Sequence, residues 1–456
     1  MLFQSQFYVL VFLPLVTMCY YAVANSERAR HLVLIAASLV FYSWWDARFL
    51  PLLLGQIGST WVLALWHERT GSPLVLRIGI LLNLTSLATF KYLDFLVSLI
   101  ESASGLQLPR ANVVLPIGIS FFSFQLISYL VDRIRGEAPI YPLRVFALFV
   151  IVFPHLIAGP IVRHNELIPQ LLLNPLREGI YQRLSAGFIV FTVGLVKKVL
   201  LADRLAAIVD PLFKKAQIHM LSFGEAWSAA LGFSFQLLLD FSAYTEMAVG
   251  TALMFGLLLP ENFVRPYLSS DIREFWRRWH ISLSKFIRDY LYIPLGGNRH
   301  GPLRYGCATV IAMSMCGLWH GAGWTYVAWG VWHGSGLILH RGWQCVGHPL
   351  PKIIGWFVTM AFVIIGWVLF RSSDFGIAGA ILSSLIGGNG YTGVLQGGLT
   401  LALSALVSLL MPSAHEMKDR FLLPYPVLAV GAAVLVVFCL LEVGKGAPIN
   451  FIYFKF

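Results

Sequence analysis

Two histidines lie in matching Trp-His-Gly triplets within one apolar segment, His320 in the first and His333 in the second. A histidine at membrane depth is rare and costly unless it has a task or a partner. Desolvation disfavours the charged imidazolium, so a buried ring stays neutral and can accept a proton as a general base. A long apolar run precedes His320, so we expect this residue to lie deep. From the residues alone it is either the base or a packing residue bonded to a carbonyl, whereas for His333 a structural role suits better. We expect four neighbouring tryptophans to line a substrate tunnel: Trp319, Trp324, Trp329 and Trp332.

Charged residues concentrate between positions 265 and 304, where eight basic side chains accompany three acidic ones. Apolar residues recur at helical spacing over 272–290, which predicts an amphipathic helix lying in the membrane interface. His280 falls near the border of its apolar face and can point into the protein. The basic residues either meet lipid phosphates or bind the phosphate groups of a cytoplasmic substrate. The candidates for that second role are Arg273, Arg277, Arg288, Asn298 and Arg299.

A polar stretch within apolar surroundings, DFSAYTEMAVG, covers residues 240–250. Its candidate substrate-binding side chains are Asp240, Ser242 and Tyr244. One interpretation is a short connection held by local side-chain-to-backbone hydrogen bonds. The other is a polar rim of the cavity in which the chemistry takes place, and both interpretations fit the sequence.

Other chemistries find little support. The chain has no HExxH motif and no HxxxH pair, so we expect no metal site. A GxSxG nucleophile elbow is absent too, which argues against a serine hydrolase. The five cysteines are scattered without a CxxC pair, which favours buried small hydrophobic residues over disulfides. Although the net charge is +11, no basic tail or aromatic-interleaved basic patch is present, so we expect no nucleic-acid partner.

The elements that position these residues are membrane helices. Only 12% of the residues are charged and 58% are hydrophobic, so lipid is the solvent for most of the chain. We expect an all-α polytopic fold with about 10–12 transmembrane helices plus re-entrant or interfacial helices. It forms a single membrane domain over residues 1–456, with a catalytic core at about 113–345. Arg28 and Arg30 directly follow the first apolar segment, which predicts a cytoplasmic first loop and a periplasmic N-terminus.

Six stretches in the middle half of the chain form a specific set of motifs. They are LPIGISFFSFQLISYLVDRIRGE (115–137), FPHLIAGPIVR (153–163), DFSAYTEMAVG (240–250), ENFVRPY (261–267), EFWRRWHISLSKFIRDYLYIPLGGNR (274–299) and GLWHGAGWTYVAWGVWHG (317–334). Together they resemble the membrane-bound O-acyltransferase (MBOAT) superfamily, and within it the alginate O-acetylation branch. The resemblance implies that His320 is the catalytic base and His280 the second polar catalytic position. It also implies a ring of helices around a central funnel, with acyl donor and acceptor entering from opposite faces.

The same resemblance implies a membrane-bound O-acetyltransferase of a bacterial inner membrane. It implies no permanently bound cofactor, acetyl-CoA as co-substrate, and an extracytoplasmic acetyltransferase or acetyl-carrier protein as partner. His320 takes the proton of the acceptor hydroxyl, while His280 either orients the substrate or stabilises the developing negative charge. The polymer that is finally acetylated is an exopolysaccharide such as alginate or a cellulose-like chain, or peptidoglycan.

Three alternatives stay open at this point. A related transferase would move D-alanine from a carrier protein to a cell-wall polymer, with a similar reaction core. A transporter or channel for an acyl donor also fits many spans around a polar centre. Transporters often contain internal repeats, and the chain shows none beyond the short Trp-His-Gly echo. A scaffold for a polymer-secretion complex would need the chain but not His320.

Overall fold

The structure, a computed structural model, describes residues 1–110, 112–157, 159–299, 301–420, 426–446 and 451–452. Within those residues the regular elements are helical and no strand occurs. The helices are, in chain order, α1 Leu13–Ala22, α2 Glu27–Asp46, α3 Leu50–Thr70, α4 Pro73–Ser104, α5 Ile119–Ile134, α6 Leu143–Ile151, α7 His164–Leu171, α8 Ile180–Val196, α9 Asp203–Lys215 and α10 Phe223–Met254. They continue with α11 Ile272–Arg278, α12 Ile281–Ile287, α13 Gly301–His320, α14 Trp324–Val346, α15 Lys352–Arg371, α16 Phe375–Leu385, α17 Gly398–Leu410, α18 Ala414–Arg420 and α19 Pro426–Gly444. The predicted all-α fold is confirmed.

Several of these helices are long and apolar enough to cross a membrane. By length and composition, five segments qualify in the described part of the chain, and a sixth if one bent pair counts as a single span. The five are Glu27–Thr70, Pro73–Ser104, Ile180–Lys215, Lys352–Arg371 and Val427–Gly444. The bent pair is α17 with α18, at an angle of 68°. The chain is thus a multi-pass membrane protein, while the total of about 10–12 crossings and the central funnel stay predictions.

Contacts between residues group the chain into two compact units. The first comprises residues 1–192, 245–260 and 417–448, and the second comprises 193–244, 261–416 and 449–456. All of the predicted site residues belong to the second unit. The single membrane domain predicted from the sequence stays a prediction.

Polar side chains join the helices of the first unit. The amide of Asn83 in α4 donates a hydrogen bond to the hydroxyl of Thr60 in α3 at 3.1 Å. At the start of α7, the ring of His164 lies 3.3 Å from a carboxylate oxygen of Asp132 and 2.9 Å from the hydroxyl of Tyr141. Such hydrogen bonds matter in a membrane, because apolar packing between helices gains little over contact with lipid.

In the second unit, glycines let α13 and α14 pack with their backbones almost in contact. A Cβ atom on Gly330 would lie 2.7 Å from the Cα atom of Ser314, and Gly317 is equally confined by the facing helix. Small residues permit this close approach between membrane helices. The hairpin places His320 at the last residue of α13 and His333 inside α14.

The prediction of one amphipathic helix over 272–290 is wrong in one respect, because the structure contains two shorter helices there. α11 ends at Arg278 and α12 begins at Ile281. Between them, His280 adopts a left-handed backbone conformation with φ of 42°. The cause is tertiary, since the N–H of Ile281 donates to the backbone carbonyl of Asn262 at 3.0 Å. In a continuous helix that N–H would bond to Arg277 instead.

Candidate active site

His320 sits inside a box of three aromatic rings. The residue is 3% exposed. The rings of Trp319, Trp329 and Phe370 lie 4.8, 5.2 and 5.1 Å from the imidazole, measured between centroids, at interplanar angles of 76°, 87° and 73°. Three near-perpendicular contacts fix the plane of the imidazole and keep bulk water away from it. A base held in this way is suited to take a proton from a hydroxyl brought next to it.

His280 is fully buried at the break between α11 and α12. Its Nδ1 atom lies 3.0 Å from Oδ1 of Asn262. The ring meets Phe241 edge-on at 4.7 Å and Trp319 at 5.9 Å, again between centroids. Because Trp319 also contacts His320, the structure brings both predicted catalytic histidines against one indole ring.

His333 belongs to the same aromatic cluster. It is fully buried and lies 4.8 Å from Trp329, the ring that also borders His320. It stacks on Phe275 at 6.1 Å and meets Trp276 edge-on at 5.2 Å. Neither ring nitrogen has a hydrogen-bond partner among the residues that the structure describes. Surroundings made of ring faces fit the packing role that the sequence favours, because a ring N–H can point at a π face.

Asp240, Ser242 and Tyr244 lie inside α10 and not on a connection. The interpretation as a short connection is therefore wrong: the apolar residues between the polar ones sustain a helix that runs from 223 to 254. All three side chains are buried. A carboxylate oxygen of Asp240 lies 2.8 Å from the ammonium of Lys198, and Ser242 accepts a hydrogen bond from Lys197 at 2.7 Å.

The last described residues also reach this part of α10. The ring of Phe451 stacks on Tyr244 at 4.4 Å between centroids. The backbone N–H of Ile452 donates to the second carboxylate oxygen of Asp240 at 2.9 Å. Asp240 is therefore held from two sides, by an ammonium and by a backbone amide.

Sequence reasoning missed the two lysines that anchor this region. Lys197 and Lys198 are buried in a π-helical stretch, Lys197–Ala202, that continues α8. Lys198 also lies 2.8 Å from a carboxylate oxygen of Asp203, so one ammonium bridges Asp203 and Asp240. The sequence did carry a usable signal, because two adjacent lysines inside an apolar run are costly without partners.

Most of the predicted donor-binding residues lie at the surface. The exposed ones are Arg277, Arg288, Asn298 and Arg299, while Arg273 is half-buried. Arg288 pairs with its neighbour Asp289 at 2.6 Å. Trp324 is 56% exposed, whereas Trp319 is buried. The structure therefore places Trp319 with the histidines and leaves Trp324 and the four exposed candidates outside the buried cluster.

The polar groups nearest His280 suit hydrogen bonding to neutral partners. They are the amide of Asn262 and the hydroxyl of Ser282, which lie within 2.9 Å of each other. Across the described ranges, no three His, Cys, Asp or Glu side chains come together in a group that could hold a metal ion. The two histidines and their polar neighbours offer acid–base and hydrogen-bonding chemistry.

The chain is similar over most of its length to known proteins. A family model described as MBOAT, membrane-bound O-acyltransferase family, matches residues 7–370. A peptidoglycan O-acetyltransferase of Helicobacter pylori is 38% identical over 428 residues, which cover 86% of this chain and 81% of that protein. A probable alginate O-acetylase AlgI of Pseudomonas aeruginosa is 39% identical over 396 residues, or 83% and 73%. A teichoic acid D-alanyltransferase of Bacillus subtilis is more distant, at 26% over 297 residues, or 59% and 71%.

Proposed function

We propose that this chain, which belongs to the membrane-bound O-acyltransferase family, moves acetyl groups from cytoplasmic acetyl-CoA for O-acetylation of a polysaccharide outside the cytoplasm. Acetyl is supported as the acyl group by the two relatives at 38–39% identity, one a peptidoglycan O-acetyltransferase and the other a probable alginate O-acetylase. The chemistry of the family is covalent transfer, which argues against the transporter and scaffold interpretations. We place the protein in a bacterial inner membrane with its N-terminus in the periplasm, as Arg28 and Arg30 indicate.

The observation that carries the proposed mechanism is the buried imidazole of His320 in its aromatic box. A ring nitrogen of His320 takes the proton of the acceptor hydroxyl while the hydroxyl oxygen attacks the thioester carbonyl. The new C–O bond forms and the C–S bond breaks, and the imidazolium returns its proton to the departing thiolate. By excluding water, the box protects the thioester from hydrolysis.

The donor proposal rests on the basic segment 265–304. Arg278 already pairs with Glu274 and Arg288 with Asp289, both at 2.6 Å. By contrast, three of the four arginines predicted to bind the donor, Arg273, Arg277 and Arg299, have no carboxylate partner in the described part of the chain. Guanidinium groups bind phosphate oxygens strongly, and coenzyme A carries several. These three arginines are therefore the proposed donor contacts.

The acceptor is proposed to arrive from the other membrane face. It is either a sugar hydroxyl or a hydroxyl of an extracytoplasmic acetyltransferase or acetyl-carrier protein that passes the group on. The polymer is alginate, a cellulose-like chain or peptidoglycan. Support comes from the relatives, whose names specify alginate and peptidoglycan as the acetylated polymers.

The central test is replacement of His320 by alanine in protein purified into lipid nanodiscs. Acetyl-CoA consumption with an oligomannuronate or cello-oligosaccharide acceptor should fall about 10²- to 10⁴-fold, the usual contribution of a general base. The matched control is His219→Ala, because His219 is exposed in the loop after α9. A folded His320→Ala protein with the wild-type rate would remove this residue from the mechanism.

The donor contacts are tested separately. Arg277→Gln combined with Arg299→Gln should raise KM for acetyl-CoA and leave kcat nearly unchanged, since phosphate binding precedes the chemical step. The control is Arg48→Gln, which removes an exposed arginine paired with Asp46 at 2.7 Å. Equal KM values for acetyl-CoA in the double variant, the Arg48→Gln control and the wild type would place the donor elsewhere.

D-alanyl transfer is the second candidate, because teichoic acid D-alanyltransferases share 26–28% identity over more than half of the chain. The two candidates differ in the donor. A D-alanyl carrier protein supplied in place of acetyl-CoA should give no transfer if the acetyl proposal is right. Transfer from that carrier protein alone would replace the proposal.

A further inference from the structure

The orientation of one buried amide can be assigned from its neighbours. Oδ1 of Asn262 lies 3.2 Å from the backbone N–H of Ser282 and 2.9 Å from its hydroxyl. A backbone N–H can only donate a hydrogen bond, so the amide atom that faces it is the oxygen. Asn262 is 1% exposed, so its amide is removed from bulk water.

That orientation fixes the tautomer of His280. Its Nδ1 atom lies 3.0 Å from the same oxygen of Asn262, and two acceptors cannot share a hydrogen bond without a hydrogen. Nδ1 must therefore carry the hydrogen and donate it. The ring has no carboxylate partner among the described residues, and burial without an anion favours the neutral form. In a neutral imidazole with Nδ1–H, Nε2 is a bare acceptor.

Nε2 of His280 is buried and has no hydrogen-bond partner in the part of the chain that the structure describes. The backbone of His280 is held in the left-handed region, which is uncommon for a residue with a side chain. Ile281 N–H, bonded to the carbonyl of Asn262, and Ser284 N–H, bonded to the carbonyl of His280, keep it there. Strained conformations persist where the surrounding structure over-determines them, and they concentrate at functional sites.

We infer that Asn262 is a positioning residue for His280, and that Nε2 of His280 accepts a hydrogen bond from an O–H or N–H of a substrate. The identity of that substrate rests on the proposed function, whereas the tautomer of His280 does not. The tautomer decides between the two roles expected for His280: a bare nitrogen orients a substrate and cannot donate to a developing oxyanion. The reacting hydroxyl gives its single hydrogen to His320, so His280 binds a different donor group.

Two sources of that donor group share the same chemistry. One is a hydroxyl next to the reacting hydroxyl, which a sugar acceptor provides. The other is an amide N–H of the pantetheine arm of coenzyme A. Removal of Nε2 weakens the binding of only one of the two substrates. A higher KM for the acceptor would identify the sugar hydroxyl as the donor group, and a higher KM for acetyl-CoA would identify the pantetheine amide.

The variant that isolates Nε2 is His280→Asn. Asparagine is among the few residues other than glycine that adopt the left-handed conformation routinely. Its amide N–H₂ can still donate to Asn262, but nothing occupies the position of Nε2. We expect KM for one substrate to rise roughly 2- to 12-fold, the effect of one neutral hydrogen bond, with kcat nearly unchanged. A loss in kcat of about 10²- to 10³-fold at unchanged KM would instead indicate an oxyanion role and overturn the inference.

The role of Asn262 is tested with Asn262→Leu against the control Asn83→Leu. Asn262→Leu removes the acceptor that holds Nδ1–H, whereas Asn83→Leu makes the same change at a buried amide of the first unit, which bonds to Thr60. KM should rise for Asn262→Leu, for the same substrate as in His280→Asn, and should stay at the wild-type value for Asn83→Leu. Equal KM values for Asn262→Leu and wild type would overturn the positioning role.

The tautomer itself is measured without activity. Long-range ¹H–¹⁵N spectra of the full-length protein, labelled with ¹⁵N-histidine, distinguish a protonated from a bare ring nitrogen, and His280→Asn identifies the resonance. We expect Nδ1 protonated and Nε2 bare. An Nε2–H tautomer or an imidazolium in the wild-type protein would overturn the inference. Wild-type protein that shows this tautomer but transfers no acetyl group would refute the proposed function alone.

Discussion

A single methyl group between α13 and α14 should disrupt the site without touching either catalytic histidine. In Gly330→Ala, the new Cβ atom would lie 2.7 Å from the Cα atom of Ser314, with the carbonyl of Met313 equally close. Carbon atoms pack comfortably at about 3.5–4 Å, so α14 has to withdraw from α13 by about 1 Å. Both neighbours are main-chain atoms, which cannot rotate away as a side chain can.

Trp329, the residue before Gly330, transmits this displacement to the site. It forms one wall of the box around His320, 5.2 Å from the imidazole ring, and it moves with α14. Misplacement by about 1 Å at a catalytic group can cost about 10²-fold in rate. Overpacking also destabilises, typically by about 1–3 kcal/mol. We therefore expect kcat/KM to fall about 100-fold in protein that remains folded but unfolds at a lower temperature.

The control lies on the same helix. Gly342→Ala places its Cβ atom where no heavy atom comes within 4 Å, so activity and unfolding temperature should match those of the wild type. Both variants are measured as acetyl-CoA consumption and as thermal unfolding in one detergent. Wild-type kcat/KM and unfolding temperature for Gly330→Ala would show that the close approach of the two helices does not constrain the site.

Three further outcomes follow from the described contacts. Trp329→Leu should lower kcat/KM at least as much as Gly330→Ala, about 100-fold, because it removes the same wall of the box, while Trp329→Phe retains more activity; wild-type rates in both variants would show that the box does not hold His320. Lys198→Met should destabilise the protein by about 3–5 kcal/mol, because it removes the ammonium that bridges the buried carboxylate of Asp240 and the partly buried carboxylate of Asp203; unchanged thermal unfolding would contradict this. Asn83→Leu should cost about 0.6–1.7 kcal/mol in unfolding free energy at unchanged kcat; a lower kcat would link the first unit to catalysis.

The sequence predicted the elements whose cause is local. Low charge and long apolar runs predicted membrane helices, and the structure contains them. The apolar run before His320 predicted its burial, and the residue is 3% exposed. Its aromatic neighbours were predicted only in part, because Phe370 lies fifty residues further along the chain and reaches the ring through tertiary packing.

Features with a long-range cause escaped prediction. Helical periodicity placed His280 near the border of one continuous helix, but pairing with Asn262 outcompetes the local hydrogen bonds and breaks that helix. Similarly, the sequence displays Lys197 and Lys198 in an apolar run without indicating which carboxylates neutralise them. That information requires the fold, because Asp240 is brought to Lys198 from α10.

The buried lysine pair has a consequence for how the chain enters the membrane during synthesis. Lys197 and Lys198 lie within the apolar segment 180–215, and Asp240 is made about forty residues later. Asp203 faces Lys198 from within the same segment, so until α10 emerges the two adjacent ammonium groups share that carboxylate. The charge left over would cost about 2.5–3.5 kcal/mol near the middle of the bilayer. Biogenesis should therefore hold segment 180–215 at the translocon until the second carboxylate, Asp240, arrives, so that the two helices partition into lipid together.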